Sequence, residues 1–567
     1  MPILPILPSG SLSLKWPEIG PPGRGNYRQG QTRKYNSLTI VVAVFASLPS
    51  MLAQLAGAVY LAILAVLAVY GGHRSFLVWK CWQLRKRLEE LKAGLPAIPL
   101  EAFEHPEQLP IVTVQLAIYN EATVAPRLLE YVSRLEWPRS RLEIQVLDDS
   151  TDETYALMEP HIRRMRGEGV DVTYVHRTDR TGYKAGALDN GLKTAKGELL
   201  AFFDADFMPQ ADFLRSLVPH FLDPVEGARI AMVQGRWGHE NRDHSMLTRV
   251  AALMLDGHHL VENRIRAAAD WLFNFAGTGG IWRKEAIVSS GGWQHDTLTE
   301  DLDLSYRAQL AGWKFVYREA AVVPAELPED MASFRAQQFR WAKGTVQTRR
   351  KLLRRILSSN LTFGAKTEAF FHLTPHFAYP LTLALTILLL PVVLLLPAKT
   401  PWSMLLFDLP LFLGTTGSLT AFYALAERAQ GRRAMDAVRV VPALIAVGVG
   451  LTPLITKALL EGQRAMAGEF VRTPKKGSKA GRYRASQFDV PLWEPLLFGV
   501  AVADMVASLI TGHYFATPFA ALFASGYGAM SFALVADQLD RRRAANAETM
   551  VQDAPLATEQ ELDAAAQ

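Results

Sequence analysis

Leu199-Leu200-Ala201-Phe202-Phe203-Asp204-Ala205-Asp206 decides how this chain is read. Five apolar residues ending in two aromatics predict a short buried strand, and two carboxylates with one residue between them follow where that strand ends. Runs of the same kind lie upstream at 111–118, 142–147 and 170–175, and downstream at 230–233. Helix-like stretches fall between them, near 121–136, 153–168, 184–196 and 209–222. Near-continuous apolar strands alternating with helices predict an α/β domain over 105–345, a parallel sheet covered on both faces. Ligands of such sheets bind beyond the carboxyl ends of the strands. Polar clusters sit there: Asn120-Glu121 after the first strand, Asp148-Asp149-Ser150 after the second, Asp204-Ala205-Asp206 after the fourth. With no GxGxxG and no GxxxxGK[ST] in the chain, neither a dinucleotide fold nor a P-loop NTPase is supported.

The chain has 567 residues, with 60 Lys+Arg against 55 Asp+Glu. Only 20% of residues are charged, below the roughly 25% of a soluble domain, so part of the chain is expected to avoid water. The 27 Phe, 16 Tyr and 12 Trp exclude a solvated coil overall. Cys81 is the single cysteine, which excludes an internal disulfide, a CxxC pair and any multi-cysteine metal site. The basic residues are grouped beside apolar runs, a pattern that speaks for a membrane and against nucleic acid.

Residues 35–72 hold no Asp, Glu, Lys or Arg. About 20 apolar residues span a bilayer core, so 52–70 is expected to be one span within a 38–72 N-terminal segment. Residues 38–48 are apolar too but are cut off by Pro49, and a hairpin over 38–70 is the weaker alternative. A cleaved signal peptide fits poorly, because the run is long and follows a Pro/Gly-rich leader, 1–37, expected to be disordered. Further candidates are 375–397, 402–425, 440–460, 492–511 and 515–536. Arg428, Arg432, Arg433 and Arg439, then the basic stretch 461–491, then Arg541, Arg542 and Arg543 all fall on the cytoplasmic side by the positive-inside rule. A spanning 440–460 would separate two cytoplasmic segments, so 438–465 is expected at the interface or re-entrant, leaving two spans in 375–425 and two in 492–536. Residues 346–374 are expected as interface helices and 541–567 as a cytoplasmic tail, disordered from 544.

Two carboxylates spaced as in Asp204-Ala205-Asp206 suit one hard divalent cation, Mg2+ or Mn2+, held together with substrate phosphates. A turn or helix cap is the bland reading, and the position after an apolar strand, next to a second acidic pair, argues against it. Asp148-Asp149 caps a helix or reads a nucleotide base and ribose, and the two roles coexist. Lys184, in Gly182-Tyr183-Lys184-Ala185-Gly186-Ala187-Leu188, opens a helix whose free N–H groups favour phosphate. Thr299-Glu300-Asp301 precedes a helix, where acidic residues are ordinary. Gln337, Arg340 and Trp341 share one helical face that offers a guanidinium to a diphosphate and an indole to a sugar ring. Arg349, Arg350, Lys351, Arg354 and Arg355 further on suit anionic lipid headgroups. His258-His259 lacks an HExxH frame and reads as structural.

Taken together, these segments resemble the membrane-embedded family 2 glycosyltransferases of the cellulose synthase type, whose D, DxD, TED, QxxRW series appears in order as Asp149 (or Asp148), Asp204-Ala205-Asp206, Thr299-Glu300-Asp301 and Gln337-Gln338-Phe339-Arg340-Trp341. Local wording, as in Gln145-Val146-Leu147-Asp148-Asp149-Ser150-Thr151-Asp152 and Gly312-Trp313-Lys314-Phe315-Val316-Tyr317, is similar to plant-type mannan and glucomannan synthases. The resemblance implies a GT-A catalytic domain at the cytoplasmic face of the inner or plasma membrane, packed on interface helices and an α-helical transmembrane bundle. It implies donor contacts from Asn120, Glu121, Asp148, Asp149, Lys184, Asp204, Asp206, Gln337 and Arg340, with Asp204 and Asp206 on the metal–diphosphate. Asp301 is implied as general base, with Thr299 and Glu300 beside it, and Trp341, Gly277 and Thr278 as acceptor contacts. A gating loop is implied at 466–488, where Phe470, Thr473 and Lys475 match the family pattern and Arg472 departs from it.

The implied activity is processive and inverting: a nucleotide sugar (GDP-mannose, UDP-glucose or GDP-glucose) extends a growing β-glycan of mannan, glucomannan or glucan type. The chain is extruded across the membrane, with room for a periplasmic export partner. Transfer of one or a few sugars to a lipid acceptor is the alternative. A silent transporter or scaffold is disfavoured because the acidic motifs are all retained.

Overall fold

The computed structural model describes residues 37–397, 413–466, 468 and 492–552. Residues 1–52 and 53–567 form separate units. Of the first, only 37–52 are described, as helix. The leader expected over 1–37 and the gating residues Phe470, Thr473 and Lys475 lie outside the described residues, apart from Ser37 at a helix start.

The second unit holds a seven-stranded sheet, ordered β3-β2-β1-β4-β6-β5-β7. Its strands are β1 Val112–Ile118, β2 Leu142–Asp148, β3 Asp171–His176, β4 Leu199–Phe202, β5 Ile230–His239, β6 Gly280–Arg283 and β7 Lys314–Ala325. β1 to β4 are mutually parallel, as expected. The sheet as a whole is mixed, because β6 runs antiparallel between β4 and β5, while β5 and β7 pair in parallel. The short β6, Gly-Ile-Trp-Arg, is too brief for a periodicity signal. β5 also outruns the four residues expected, since its polar second half is held by pairing with β7 up to His239–Ala325.

Successive side chains alternate between two cores, as a period of 2 requires. Phe203 packs with Val112, Val114, Leu116 and Ile144 on one face. Phe202 packs with Leu147, Leu188, Phe275 and Trp282 on the other. With both faces filled by buried apolar side chains, the carboxyl ends of β1, β2 and β4 open at one edge.

Four helices among the described residues are long and apolar enough to cross a membrane: Met51–Gln83, Pro375–Leu395, Trp493–Ile510 and Ala516–Leu539. Pro49 does not cut the first element, because the helix runs Ser37–Gln83 without a break. Proline is tolerated in apolar helices, where neighbouring groups re-satisfy the freed backbone. The candidate at 440–460 is a pair of helices, Ala434–Gly450 and Thr452–Arg464, bent by 51°. Part of 402–425 lies outside the described residues, and the remainder continues as the helix Ser418–Ala429. The tail departs from expectation: Ala516–Gln552 is one helix, so Ala544 to Gln552 extend it in place of disordered chain.

The helix Met331–Leu357 crosses the boundary expected at 345 and carries part of the contacts that join the sheet domain to the other helices. Asp330 caps it, accepting from Ser333 N–H at 2.8 Å. Arg335 pairs with Glu494 of the helix Trp493–Ile510 at 2.6 Å, and Lys343 with Glu461 of Thr452–Arg464 at 2.9 Å. Gly344 lets this helix approach the loop before Asp301, since a Cβ there would lie 2.5 Å from Thr299 Cγ2.

Candidate active site

A cavity of about 160 Å³ opens at the carboxyl ends of β1, β2 and β4. Its wall includes Glu121, Asp149, Lys184, Asp204, Asp206, Gly277, Thr299, Glu300, Asp301, Gln337, Arg340 and Trp341. Residues from seven separate stretches of sequence therefore meet at one place.

Each is positioned by its own local chemistry. Lys184, near the start of the helix Tyr183–Thr194, donates to Asp204 Oδ1 at 2.5 Å and to the Gly277 carbonyl at 3.0 Å. Burial opposes its charge, but Asp204, Glu300 and Asp301 outweigh that and hold its pKa above the ordinary lysine value. Asp149 receives both arms of the Arg177 guanidinium, at 2.8 and 2.5 Å, a bidentate pair that fixes the carboxylate plane. Arg177 also donates to the Tyr183 carbonyl, tying Asp149 to the lysine helix.

Asp301 lies in the first turn of the helix Glu300–Leu310 and accepts from Leu302 N–H at 2.8 Å. Burial and then the charge of Glu300 raise its carboxyl to about 7, against the pull of Leu302 N–H, Lys184 and Arg340. Burial pushes the Arg340 guanidinium below its ordinary value, with Glu300, Asp204 and Asp301 opposing. Gly277, at φ +83°, leaves the space beside Asp301, because a Cβ there would sit 2.9 Å from Asp301 Oδ2.

Three expected donor or acceptor residues stand behind this wall. Asp148 is fully buried and accepts from Ser150 N–H at 2.9 Å and Tyr174 O–H at 2.8 Å, so its oxygens serve the turn. Asn120 bends the chain at φ +52° and accepts from Thr151 N–H at 2.8 Å, which leaves its neighbours Tyr119 and Glu121 facing the cavity. Thr278 is buried and accepts from Asp204 N–H at 2.9 Å. All three are held by hydrogen bonds within the protein, which a sequence does not display.

Several wall residues carried no sequence signal: Tyr119, Arg180, Trp237 and His239. Trp237 and His239 belong to the second half of β5, which was not read as strand; Tyr119 and Arg180 adjoin expected motifs. Gln234 was missed as well. It accepts from Ala276 N–H at 2.9 Å and donates to the Thr278 and Gly279 carbonyls at 3.0 Å, bracing the loop around Gly277.

A second cavity, about 580 Å³, shares Trp237, Ala276, Thr299, Asp301, Gln337 and Trp341 with the first. It reaches Tyr379, Thr382, Leu444 and Phe523 among the apolar helices. His258 and His259, read as structural, line it; they lie in a π-helical turn, His258–Asn263. A third cavity, about 450 Å³, shares Arg74, Glu262, His372 and Thr382 with the second and runs on to Tyr60, His513 and Phe519.

Residues 199–415 match the family model described as Glycosyl transferase family group 2. That match covers the second half of the mixed sheet and the first of the long apolar helices after it. Its sequence relatives include glucomannan 4-beta-mannosyltransferase 1 of Oryza sativa subsp. japonica, 38% identical over 55% of this chain and 60% of that one. Glucomannan 4-beta-mannosyltransferase 2 of Arabidopsis thaliana is 40% identical over 52% of this chain and 56% of that one. The chain thus spans less than two thirds of the length of these relatives. A mannosyltransferase from Pyrobaculum calidifontis, solved with GDP-Man and Mn2+, is 22% identical over 66% of this chain and 98% of that one, with a TM-score of 0.46.

Proposed function

We propose that this protein is a processive, inverting glycosyltransferase that polymerises a β-linked glycan from a nucleotide sugar and passes it between its apolar helices. One observation carries the reading: Asp149, Lys184, Asp204, Glu300, Asp301, Arg340 and Trp341 line one cavity, which shares its Asp301–Trp341 side with a larger cavity running into the helices. The similarity to glucomannan 4-beta-mannosyltransferases favours a mannan or glucomannan product and a mannose-bearing donor. The basic stretches after Ala426 and at Arg541 to Arg543 support a catalytic domain on the cytoplasmic side of the membrane.

In this reading Asp149, held rigid by Arg177, receives the nucleoside, while Lys184 and Arg340 offset the charge of the diphosphate as it leaves. Asp301 takes the proton of the attacking acceptor hydroxyl, and Trp341 offers its indole to the acceptor ring. The inverted product follows from a single displacement, and the chain needs no nucleophile of its own. Asp204 and Asp206, both on the cavity wall, are the carboxylates that would hold Mg2+ or Mn2+ together with phosphate and water. Such a cation, when bound, stabilises the diphosphate leaving group.

A carboxyl raised to about 7 is protonated below that pH and cannot accept a proton. The logarithm of kcat/KM is therefore expected to rise with unit slope up to about pH 7 and then level off. A flat profile from pH 5 to 9 would remove Asp301 as the titrating base. Gly277→Ala is expected to lower turnover at least about tenfold, because the new methyl meets Asp301 Oδ2 and a left-handed backbone must be strained as well. Donor binding by Gly277→Ala should change less than turnover.

The test of the function is product analysis from membranes holding the full chain. GDP-mannose, GDP-glucose, UDP-glucose and UDP-GlcNAc are supplied singly and in pairs. A β-linked polymer identified by linkage analysis supports the reading. A short, lipid-extractable product would replace it with transfer to a lipid, and no turnover of any donor would overturn it.

A further inference from the structure

The last turn of the apolar helix Met51–Gln83 carries a cluster that takes no part in the sugar chemistry. Lys80 places its ammonium 5.2 Å from the ring centroid of Trp79, 5.6 Å from that of Trp271 and 5.8 Å from that of Phe76. Phe76 and Trp271 stack with their centroids 6.1 Å apart, and Phe76 and Trp79 lie 5.8 Å apart. Trp271 comes from the chain between β5 and β6, so this cage joins the helix to the sheet domain. Gly364 lets the helix Phe363–Leu373 close on the Trp271 indole, since a Cβ there would lie 3.2 Å from it. Among the described residues no carboxylate pairs with Lys80, and Asp270, beside Trp271, pairs with Arg87 at 3.4 Å. Val66, Val69 and Phe76 are exposed on the same face of the helix as Lys80, and they lead from it toward the apolar middle of the segment.

We propose that Lys80 and its aromatic cage bind the phosphodiester of an anionic phospholipid at the membrane boundary, and that this lipid fastens the sheet domain to the apolar helix. The inference goes beyond the sugar chemistry and holds whichever donor is used. A lysine near the end of a spanning helix reaches for the headgroups on a flexible stem. Three rings hold this one in place, each drawing the ammonium through its quadrupole, so less freedom is lost when an anion arrives. The same ammonium occupies the cage, which leaves no room there for the choline of a zwitterionic lipid. What the site still presents is donors: the outward ammonium N–H groups and the indole N–H of Trp79, which has no acceptor among the described residues. A phosphodiester brings acceptor oxygens and negative charge to them. Its acyl chains meet Phe76, Val69 and Val66 along the same face, an apolar contact that a free phosphate lacks.

The test titrates the purified full chain in detergent with phosphatidylglycerol and with phosphatidylcholine, following the midpoint of thermal unfolding in wild type, Lys80→Gln, Lys80→Arg and Lys86→Gln. A ligand bound by the folded state raises that midpoint, so wild type should respond at lower concentrations of phosphatidylglycerol than of phosphatidylcholine. Lys80→Gln should weaken the phosphatidylglycerol response by about fivefold and leave that to phosphatidylcholine unchanged. Lys80→Arg keeps the charge and stacks on aromatic faces, and should stay within about twofold of wild type. Lys86→Gln removes an equal charge from an exposed position outside the cage and should respond as wild type does. Equal losses in Lys80→Gln and Lys86→Gln would reduce the effect to general surface charge and overturn the proposal. So would an equal response of wild type to the two lipids, a comparison that needs no variant to fold. Inorganic phosphate should leave the lipid bound; displacement by it would make the cage a soluble-phosphate site and overturn the proposal as well.

Discussion

Asp301→Asn is expected to abolish sugar transfer, by about 10²- to 10⁴-fold, while leaving the donor bound. Asparagine has the size of the aspartate and its carbonyl can still accept from Leu302 N–H, now at 2.8 Å from the Asp301 carboxylate. The substitution removes a negative charge near Glu300 and near Lys184, the residue proposed to meet the diphosphate, so donor affinity should hold or rise slightly. The missing property is the capacity to take a proton. Transfer rate and donor dissociation constant, measured on one preparation, separate the two effects. Transfer at the wild-type rate would take Asp301 out of the reaction, and a parallel loss of donor binding would make it a binding residue.

The second large effect concerns stability. Arg335 and Glu494 pair at 2.6 Å with both side chains more than nine-tenths buried, and they join the helix Met331–Leu357 to the membrane-type helix Trp493–Ile510. Arg335→Ala leaves a buried carboxylate without its cation, a change that costs about 3–5 kcal/mol. The midpoint of thermal unfolding in detergent should fall accordingly, and activity should be lost at temperatures the wild type tolerates. Replacing both partners, Arg335→Met with Glu494→Leu, removes the unpaired charge and is expected to recover most of that loss. If Arg335→Ala unfolds with the wild type, the pair is not what fastens the two helices.

The motif residues were legible because their chemistry is local. A carboxylate pair after an apolar strand, a lysine opening a helix, and Gln337, Arg340 and Trp341 at helical spacing all declare themselves within ten residues. What failed to show was anything settled across the sheet. β6 is four residues long and owes its existence to its neighbours on both sides. Asp148 and Asp149 are adjacent and chemically identical, yet Tyr174 and Ser150 claim the first while Arg177 holds the second at the cavity. Tyr119 and Arg180, 61 positions apart in sequence, stack on each other at the cavity wall.

Read by itself, the amino-acid order settled the α/β domain, the apolar segments and the acidic series, since hydrophobic periodicity and short polar motifs depend on near neighbours. Tertiary structure decided which carboxylate faces the cavity, that β6 turns the sheet mixed, that Ala516–Gln552 stays helical past Arg543, and that the cavity beside Asp301 continues among the helices. Those outcomes depend on which distant groups meet and satisfy one another's hydrogen bonds and charges, and that becomes determined once the chain has packed.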